Sequence, residues 1–428
     1  MDKKAPWTPE DFGPKKFSMT FEEQQVLRYA ENPQNNGKVY KTTDLCSLEK
    51  TDDPVLGEIF KKVDVPGLER IIDSSLMDAK QHQGKTMSFN NFLDANANLK
   101  IIREFDTLQN EFDENYWCSI TKHANPAGVA GRKNQRDAFL DAWACDPLSA
   151  FGGIVCTNFE INDDLAELII SDNRFIEALI APAYSPKALE VLSKKKNVRV
   201  LEMDVSMPEH VEYDMRFITG GVLLQEVDRT RLTKEMLTYP NDLVKDLGFE
   251  INRPTESQIT DMIFGWYVNR NTKSNTVLLV KDRATIGIGA GQQNRVDSGF
   301  IAGFRANKPY YTLSTPDRKI DSLTEEQEKL LGEIGISKQL YQLIKTVGLN
   351  AQGRTEGSVA VSSAFYPFPD TLHVLGAYGV AASLSPSGSI KDKLAYKAMH
   401  ELGIAAAHTD VLGEDKEGYK GGRRAFYH

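Results

Sequence analysis

Short apolar runs that alternate with helical segments constrain this chain more than any other feature of its sequence. The runs YWCSIT, GGIVCT, ALIAPA, VRVLEM and GGVLLQEV fall between residues 116 and 227, and each has the length of a buried strand. Between them stand segments with a helical pattern, QRDAFLDAWAC and SPKALEVLSKK. Strands and helices that alternate along a chain are typical of an α/β fold. The sequence therefore predicts the α/β class.

The domain organisation follows from where this alternation starts and resumes. A first stretch rich in proline and charge predicts an N-terminal extension, and two α/β lobes follow, the second interrupted by a charged helical insert. We predict these boundaries: extension 1–20, first lobe 21–230, second lobe 231–428, and insert at about 305–350.

Two local predictions can be checked directly. The segment TFEEQQVLRYAENP, residues 20–33, predicts a helix that stops at its Asn-Pro, because the residue before proline disfavours helical backbone. In the second lobe, NTVLLVKD and RATIGIGAG predict a hairpin of buried strands joined at Asp282 and Arg283.

Composition and charge exclude several protein classes. The 428 residues are 41% hydrophobic and 26% charged, with a net charge of −9, which is the profile of a soluble globular protein. An acidic chain is poorly suited to bind nucleic acid or an anionic membrane. No run reaches the roughly 18 apolar residues of a membrane helix, and MDKKAPWTPEDFG lacks the apolar segment of a signal peptide. We expect a cytoplasmic protein with no nucleic-acid or membrane partner.

The cysteines predict neither disulfides nor a metal site. Cys46, Cys118, Cys145 and Cys156 are scattered, with no CxxC pair and no histidine at metal-ligand spacing. This pattern is typical of free thiols in a reducing compartment.

The segment TKHANPAG, residues 121–128, carries the sharpest chemical signal. A lone Lys-His pair is more often a solvated surface turn than a site, because most charged side chains are solvated. Here an apolar run leads directly into Lys122 and His123, so both stand at the end of a strand, where α/β proteins hold ligands. A neighbouring ammonium disfavours an imidazolium, so we expect His123 to stay neutral and act as a general base. We expect Lys122 to hold an anion or oxyanion, and the Asn125-Pro126 corner to fix both residues.

Two segments resemble phosphate-binding loops, and neither meets the requirements. AKQHQGKT ends like a Walker A loop, but Ala79 replaces its first glycine and no buried strand precedes it. GIGAGQ has Gln292 where the last glycine of a dinucleotide fingerprint belongs. The first segment is expected to be a solvated connector, and the second a strand end that a ligand can approach closely.

Further polar segments stand at the ends of apolar runs: RYAENP, SFNNFLDA, DPLSAFGG, SNTVLLVKD, IGIGAGQQNRVDS, SSAFYPFPD, SPSGS, ELGIAAAHT and the terminal RRAFYH. Together with TKHANPAG, and in this order over roughly residues 21–428, they resemble the AICAR transformylase family of de novo purine synthesis. Family members usually carry this unit behind an IMP cyclohydrolase domain. Only about 20 residues precede the match here, so the resemblance predicts a stand-alone transformylase and a separate cyclohydrolase as partner.

The resemblance implies a reaction and a set of catalytic residues. The family transfers the formyl group of 10-formyltetrahydrofolate to the 5-amino group of AICAR, an aminoimidazole carboxamide ribonucleotide. By similarity, His123 is the general base, and Lys122 stabilises charge at the formyl carbon or protonates the folate nitrogen. Asn275 would orient the formyl group, and Asp370 would lie near the folate.

The resemblance also implies which residues bind the nucleotide. The residues expected to contact phosphate are Arg28 and Arg424, and those expected to contact ribose and carboxamide are Tyr29, Asn91, Asp204 and Arg295. Phe365 would face the imidazole with Phe426 nearby, and Ser387 would line the site.

The family fold is a duplicated cytidine-deaminase-like unit in three α/β/α layers with a helical insert in the second lobe, and the family forms homodimers with shared active sites. The zinc motifs of deaminases, H-x-E and P-C-x-x-C, do not occur, so we expect no zinc. Whether the protein binds a monovalent cation stays open. Two alternatives also stay open: a non-catalytic nucleotide-binding relative, and a formyltransferase that uses formate and ATP.

Overall fold

The computed structural model of the chain describes residues 17–27, 37–50, 58–62, 76–106, 108, 111–171, 174–206, 213–219, 221–226, 231–244, 247–307, 354–411 and 423–424. The helical insert predicted at about 305–350 falls almost wholly outside these residues, which stop at 307 and resume at 354.

The described residues form these strands, numbered in chain order: β1 Phe17–Leu27, β2 Gly37–Lys50, β3 Glu58–Lys62, β4 Lys80–Gln83, β5 Tyr116–Lys122, β6 Asn125–Arg132, β7 Gly153–Thr157, β8 Ile176–Ala181, β9 Arg199–Glu202, β10 Tyr213–Ile218, β11 Gly221–Glu226, β12 Val277–Lys281, β13 Ala284–Gly289, β14 Val359–Ser362, β15 Ala382–Ser385, β16 Ala405–His408, β17 Asp410–Val411 and β18 Arg423–Arg424.

The helices of the same residues are α1 Phe89–Asp106, α2 Gln135–Cys145, α3 Pro147–Ala150, α4 Asp163–Ile170, α5 Pro186–Leu192, α6 Pro240–Leu243, α7 Glu256–Arg270, α8 Arg295–Asn307, α9 Asp370–Ala377 and α10 Asp392–Leu402. None of the helices in the described ranges is long and apolar enough to cross a membrane.

One large sheet organises the fold. Eleven strands lie in the order β16-β15-β14-β12-β13-β6-β5-β7-β8-β9-β4. The hairpins β5–β6 and β12–β13 are antiparallel, whereas β7, β8 and β9 run parallel to one another, as do β14, β15 and β16. This mixed sheet with intervening helices confirms the predicted α/β class.

The same order of elements occurs on both sides of the centre of this sheet. In the first half, α1 precedes the hairpin β5–β6, then α2, and then the parallel strands β7, β8 and β9; in the second, α7, β12–β13, α8, β14, β15 and β16 follow the same order. The equivalent strands β6 and β13 meet antiparallel at Ala130 and Ala284. Equivalent strands that pair antiparallel are related by an approximate two-fold axis, which here passes through the sheet between β6 and β13.

Helices cover both faces of the sheet, because successive strand residues point to opposite sides. On one face, α1 and α7 share a core with the sheet, in which Phe105 stacks on Trp117 with ring centroids 4.2 Å apart and lies 5.3 Å from Phe264. On the other face, α2, α4 and α5 cover the first half, and α8, α9 and α10 cover the second.

Both hairpins turn through two residues with left-handed backbone. In the described part of the chain, the non-glycine residues with positive φ are His123, Ala124, Asp282 and Arg283. Two such residues form the type I′ turn that suits a twisted hairpin, at a cost in energy for residues other than glycine. A helix carboxylate stabilises each turn: Asp94 accepts the first pair of N–H groups at 3.1 and 2.6 Å, and Asp261 accepts the second pair at 2.9 and 2.7 Å.

The hairpin predicted at Asp282 and Arg283 is therefore confirmed, whereas the Asn-Pro corner after His123 is not where the chain turns. Asn125 and Pro126 begin β6, and the turn comes before them. Pro126 pairs with Thr121 beside a register shift, a place in a strand where a missing N–H is tolerated.

The helix predicted over residues 20–33 is wrong in its described part. Phe17–Leu27 is strand β1, paired antiparallel with β2 from Phe17 opposite Ser47 to Leu27 opposite Gly37. The Glu- and Gln-rich composition favours a helix only weakly, and a long cross-strand partner overrides a propensity of that size. The last four residues of the predicted extension, 17–20, thus belong to β1, and residues 1–16 lie outside the described ranges.

Three thiols should be unreactive in the folded protein. Cys118, Cys145 and Cys156 are buried thiols outside any disulfide, and burial raises the pKa of Cys145 and Cys156 to about 12 and that of Cys118 well above its ordinary value. The thiolate is the reactive form, so at about pH 8 we expect a Cys46→Ser variant to release no colour from Ellman's reagent until it is denatured. Rapid reaction of any thiol in the folded variant would contradict this burial.

Candidate functional site

The strand registers determine which strand ends lie together. Thr121 at the end of β5 pairs with Ile154 at the start of β7, so Lys122 and His123 lie where β7, β8 and β9 begin. In the second half, the start of β12 and the ends of β13, β14, β15 and β16 lie at the same edge. We call this edge of the sheet the His123 edge.

The turn at His123 is fixed from helix α1. Asp94 lies in the first turns of α1 and accepts both N–H groups of the turn, so the backbone that carries His123 cannot move independently of that helix. The His123 side chain is exposed. Asp94 was not identified from the sequence, although it lies within the quoted SFNNFLDA segment, because its role depends on a turn distant in sequence.

Lys122 lies against a loop with exposed apolar side chains. Its Nζ donates to the carbonyl oxygen of Phe151 at 2.6 Å. Phe151 is 50% exposed, Leu148 58% and Phe175 39%, and the rings of Phe151 and Phe175 lie 5.5 Å apart. Three exposed apolar side chains beside a strand-end lysine form a surface suited to a flat apolar ligand. The sequence analysis quoted DPLSAFGG without singling out these residues.

Asn125 joins the two halves at this edge. Its Oδ1 accepts the backbone N–H of Lys273 at 3.2 Å, and its Nδ2 donates to the carbonyl oxygen of His123 at 3.3 Å. The structure thus holds the backbone two residues before Asn275 next to the turn that carries His123. That Lys122, His123 and Asn275 form one catalytic site stays a prediction.

Arg295 is the buried cation of the site. It is 7% exposed, and its Nη2 donates to Asn275 Oδ1 at 2.6 Å, while Nη1 donates to the hydroxyls of Ser362 and Ser363 at 2.8 and 3.1 Å. Burial lowers the pKa of Arg295. It forms no ion pair with any described residue. A buried guanidinium held by neutral groups retains positive charge for an anionic or electron-rich ligand.

Four further candidate residues lie at the same edge. Phe365 follows β14 and is half-buried, Asp370 is the first residue of α9, and Ser387 follows β15 and is 7% exposed. Asn91, 7% exposed, lies one turn before Asp94 on α1 and exchanges side-chain and backbone hydrogen bonds with Ser88 at 3.1 and 3.2 Å. These bonds give Asn91 a capping role, whatever else it contacts.

Asp204 lies elsewhere. It follows the carboxyl end of β9, at the edge of the sheet opposite His123, and its carboxylate accepts the backbone N–H and the hydroxyl of Ser206 at 2.9 and 2.8 Å. A five-residue strand such as β7 separates the two edges by roughly 16 Å. No described contact joins Asp204 to the other candidates.

Three of the remaining candidates, Arg28, Tyr29 and Phe426, lie outside the described residues. Arg424 is described only as backbone in β18, where it pairs with Asp410 just beyond the end of β16. The described ranges contain no group of three or more His, Cys, Asp or Glu side chains that could hold a metal ion. The expectation of no zinc remains a prediction.

A family profile described as AICARFT/IMPCHase bienzyme matches residues 2–305. The chain belongs to this family. The match includes the turn at His123, Asn275 and Arg295, so the residues brought together at the His123 edge fall within the part of the chain that the AICARFT/IMPCHase family shares.

Curated relatives within this family extend the match over nearly the whole chain. Each is a bifunctional purine biosynthesis protein PurH: that of Acetivibrio thermocellus is 32% identical over 405 residues, that of Bacillus subtilis 32% over 398, and that of Mycobacterium ulcerans 33% over 402. These alignments cover 94%, 93% and 94% of this chain. The chain spans about 60% of the length of these relatives, 61%, 60% and 60% respectively.

The crystal structure of a putative formate dehydrogenase accessory protein from Desulfotalea psychrophila aligns with 49% of this chain and 97% of its own, at 9% identity and a TM-score of 0.22. A likeness at this level supports no inference.

The carboxylates under the two hairpin turns should both stabilise the fold. In Asp94→Asn or Asp261→Asn, one of two backbone N–H groups faces an amide NH₂, so we expect the free energy of unfolding to fall by about 1–3 kcal/mol in each variant. Thermal and urea unfolding would measure this. Asp282→Asn is the control, because that side chain is 69% exposed; equal stability of all three variants would show that the carboxylates do not hold the turns.

Proposed function

We propose that this protein is an AICAR formyltransferase of purine biosynthesis, which transfers the formyl group of 10-formyltetrahydrofolate to the 5-amino group of AICAR. One observation carries the proposal: the strand-end pair Lys122 and His123 lies beside Asn275 and the buried Arg295, in a chain that belongs to the AICARFT/IMPCHase family. In this proposal, a base and a cation on one strand end stand next to polar side chains from the other half of the sheet.

The reaction explains why such a pair is needed. The amine nitrogen of AICAR attacks the formyl carbon, and the carbon–nitrogen bond to the folate nitrogen then breaks. The amine loses one proton, and the folate nitrogen gains one. Because the amine is conjugated with the ring and its carboxamide, it is a weak nucleophile, and removal of its proton in the transition state lowers the barrier.

His123 and Lys122 have separate tasks in this proposal. The exposed imidazole of His123 accepts the amine proton, and Asp94 keeps its backbone in place during the reaction. Lys122 stabilises negative charge on the formyl oxygen or protonates the leaving folate nitrogen. Its hydrogen bond to the carbonyl oxygen of Phe151 directs its ammonium toward the loop on whose surface the folate would bind.

The nucleotide lies, in this proposal, on the second half of the sheet. Arg295 binds the carboxamide or ribose side, Asn275 orients the formyl group while held by the guanidinium, and Phe365 and Ser387 line the pocket. Asn91 stays a candidate for the ribose, and Arg28, Tyr29, Arg424 and Phe426 stay candidates for the phosphate and ring. Asp204 would contact the nucleotide only from another subunit, because it lies at the opposite edge of its own sheet.

The folate has a matching surface. Leu148, Phe151 and Phe175 are exposed beside Lys122, and aromatic and aliphatic side chains suit the flat pterin ring. Asp370 lies at the first turn of α9 on the same edge and would contact the polar end of that ring or the transferring group.

The alternatives fit the same residues less well. Use of formate and ATP would need a phosphate-binding loop, but Gly84 of AKQHQGKT lies against the backbone before β9, where a Cβ would approach Val198 O to 2.6 Å. A non-catalytic nucleotide-binding relative has no need of a base and a lysine at one strand end. Turnover with folate as donor, and its absence with formate and ATP, would separate the three.

The same proposal extends to the architecture and the surroundings of the enzyme. We propose that the two halves, with lobes near 21–230 and 231–428, are duplicated cytidine-deaminase-like units, supported by their equal element order and paired turns. We further propose a cytoplasmic homodimer with shared sites, and a cyclohydrolase activity that consumes the product. Binding of a monovalent cation belongs to this proposal as well.

Loss of His123 should abolish most of the activity. We expect His123→Ala to lower kcat for tetrahydrofolate release by about 10²–10⁴-fold, because that is the usual contribution of a general base. The matched control is Asp282→Ala, which truncates the equivalent residue of the other hairpin turn and should leave kcat unchanged. A His123→Ala enzyme with wild-type kcat would rule out the base, and a wild type without turnover that still binds AICAR would support the non-catalytic alternative.

Arg295 should be required for AICAR affinity. Arg295→Gln keeps a hydrogen-bonding side chain but removes the charge, and we expect AICAR to bind roughly 30- to 150-fold more weakly, since a bond to a charged group contributes about 2–3 kcal/mol. Isothermal titration calorimetry with AICAR would measure the change. Arg305→Gln removes a guanidinium from the end of the same helix; if it weakened binding equally, the effect of Arg295 would be a nonspecific loss of charge.

A further inference from the structure

Asn125 carries an amide where the equivalent residue in the other half of the sheet is an alanine. Asn125 pairs with Lys122 at the start of β6. Ala284 pairs with Lys281 at the start of β13, so it holds the equivalent position beside the other hairpin turn. The methyl group of Ala284 cannot form a hydrogen bond, yet that turn forms with both of its N–H groups held by Asp261. A turn of this kind therefore does not require an asparagine at this position.

Both ends of the Asn125 amide are used where the two halves meet. Nδ2 donates to the carbonyl oxygen of His123 at 3.3 Å, and Oδ1 accepts the backbone N–H of Lys273 at 3.2 Å. One side chain thus joins the turn that carries the proposed base to the segment that precedes β12. Because Pro126 follows, the backbone of Asn125 is restricted to extended conformations, which limits the directions that its side chain can take.

From Lys273 the connection continues to the residues proposed to hold the substrates. The carbonyl oxygen of Lys273 accepts the N–H of Gly291 at 2.8 Å. The backbones of Asn275 and Gln292 exchange hydrogen bonds at 3.1 and 3.3 Å, and Asn275 Oδ1 accepts a bond from Arg295 at 2.6 Å. A displacement of Lys273 from the first half would therefore move Asn275 and Arg295 relative to the proposed base.

The turn at the opposite edge is also tied across the halves, but by charges. Arg283 of that turn forms an ion pair with Glu114 at 3.0 Å. Glu114 and Lys273 precede the strand-end lysines of their hairpins by the same number of residues, so they occupy equivalent positions. Each turn is thus tied to the equivalent segment of the other half. The connection is an ion pair at one edge and a neutral amide at the His123 edge.

A neutral connection suits a turn that carries a base. Charged residues already adjoin His123: Lys122 precedes it, Asp94 accepts the N–H groups of the turn, and Lys273 lies across the bond to Asn125. A further carboxylate beside the imidazole would favour its protonated form, and a further cation would disfavour that form. Asn125 makes the connection without adding either charge.

We propose that Asn125 is a positioning residue for formyl transfer, whose amide fixes the distance from the base to Asn275 and Arg295 without placing a charge beside the imidazole. This inference rests on the proposed function. It assigns Asn125 no contact with AICAR or folate, because the amide acts through the two backbone groups that it joins.

The variant Asn125→Ala tests the positioning, because it removes both hydrogen bonds of the amide. We expect kcat for tetrahydrofolate release to fall at least about tenfold, since small displacements of reacting groups are costly. The dissociation constant for AICAR should stay unchanged, because the bonds of Arg295 to Ser362, Ser363 and Asn275 remain. The backbone amide of Lys273 should exchange with deuterium faster than in the wild type, since it loses its acceptor.

The variant Asn125→Asp separates the connection from the charge. Its carboxylate can still accept the Lys273 N–H, so we expect that amide to stay protected from exchange. The same carboxylate favours protonated His123, and a protonated imidazole cannot act as base. The acid limb of the pH profile of kcat/KM should therefore move to higher pH by roughly half a unit or more, whereas in Asn125→Ala it should stay in place. A merely structural role would not move this limb.

Glu114→Ala is the matched control, because it removes the equivalent connection at the opposite edge while Arg283 keeps its contact with Asp261. It should lower the free energy of unfolding and leave kcat and the pH profile unchanged. Three results would overturn the proposal: wild-type kcat in Asn125→Ala, an equal loss of kcat in Glu114→Ala, or an unmoved acid limb in Asn125→Asp. A wild type without turnover would instead refute formyl transfer itself, and the role of Asn125 with it.

Discussion

The pairing of β6 with β13 is the interaction on which the rest of the structure depends. Few backbone bonds join these strands, and a side chain completes them: Thr285 Oγ1 accepts the N–H of Val129 at 2.9 Å and lies 3.2 Å from its carbonyl oxygen, and Gly131 N donates to Arg283 O at 2.9 Å. Through this junction the two halves share one sheet. The turn that carries His123 and the helix that carries Arg295 belong to different halves, so their spacing is set at this junction.

Glycines at the junction allow helices to lie close to both central strands. A Cβ at Gly128 of β6 would stand 1.9 Å from the carbonyl oxygen of Ala142 in α2, and one at Gly287 of β13 would stand 2.1 Å from that of Ala302 in α8. Side chains at these positions would push the helices outward. Because α8 begins at Arg295, the distance of its guanidinium from the sheet depends on Gly287 and its neighbour Gly289.

Local sequence patterns predicted the α/β class, the hairpin at Asp282 and Arg283, and the strand end that carries Lys122 and His123. They could not predict features that depend on distant pairing. Residues 20–27 read as a helix because their partner strand is not visible locally, and Asp204 could be assigned to an edge of the sheet only once the direction of β9 was known. The equal order of elements in the two halves is not apparent in the sequence, because the halves share few positions, such as the caps at Asn134 and Asn294.

The approximate two-fold symmetry makes this chain behave like a homodimer fused into one polypeptide. Each half gives the other what a partner subunit would supply, a hairpin turn to one edge and a helix start to the opposite edge. In a true homodimer, every substitution appears in both sites at once. Here His123 and Asp282 occupy equivalent positions of the two turns. One position carries an imidazole and the other a carboxylate, a difference that identical subunits cannot have. In a single chain with two such halves, a substitution in one half leaves the equivalent position of the other unchanged, so the two edges of the sheet can carry different side chains.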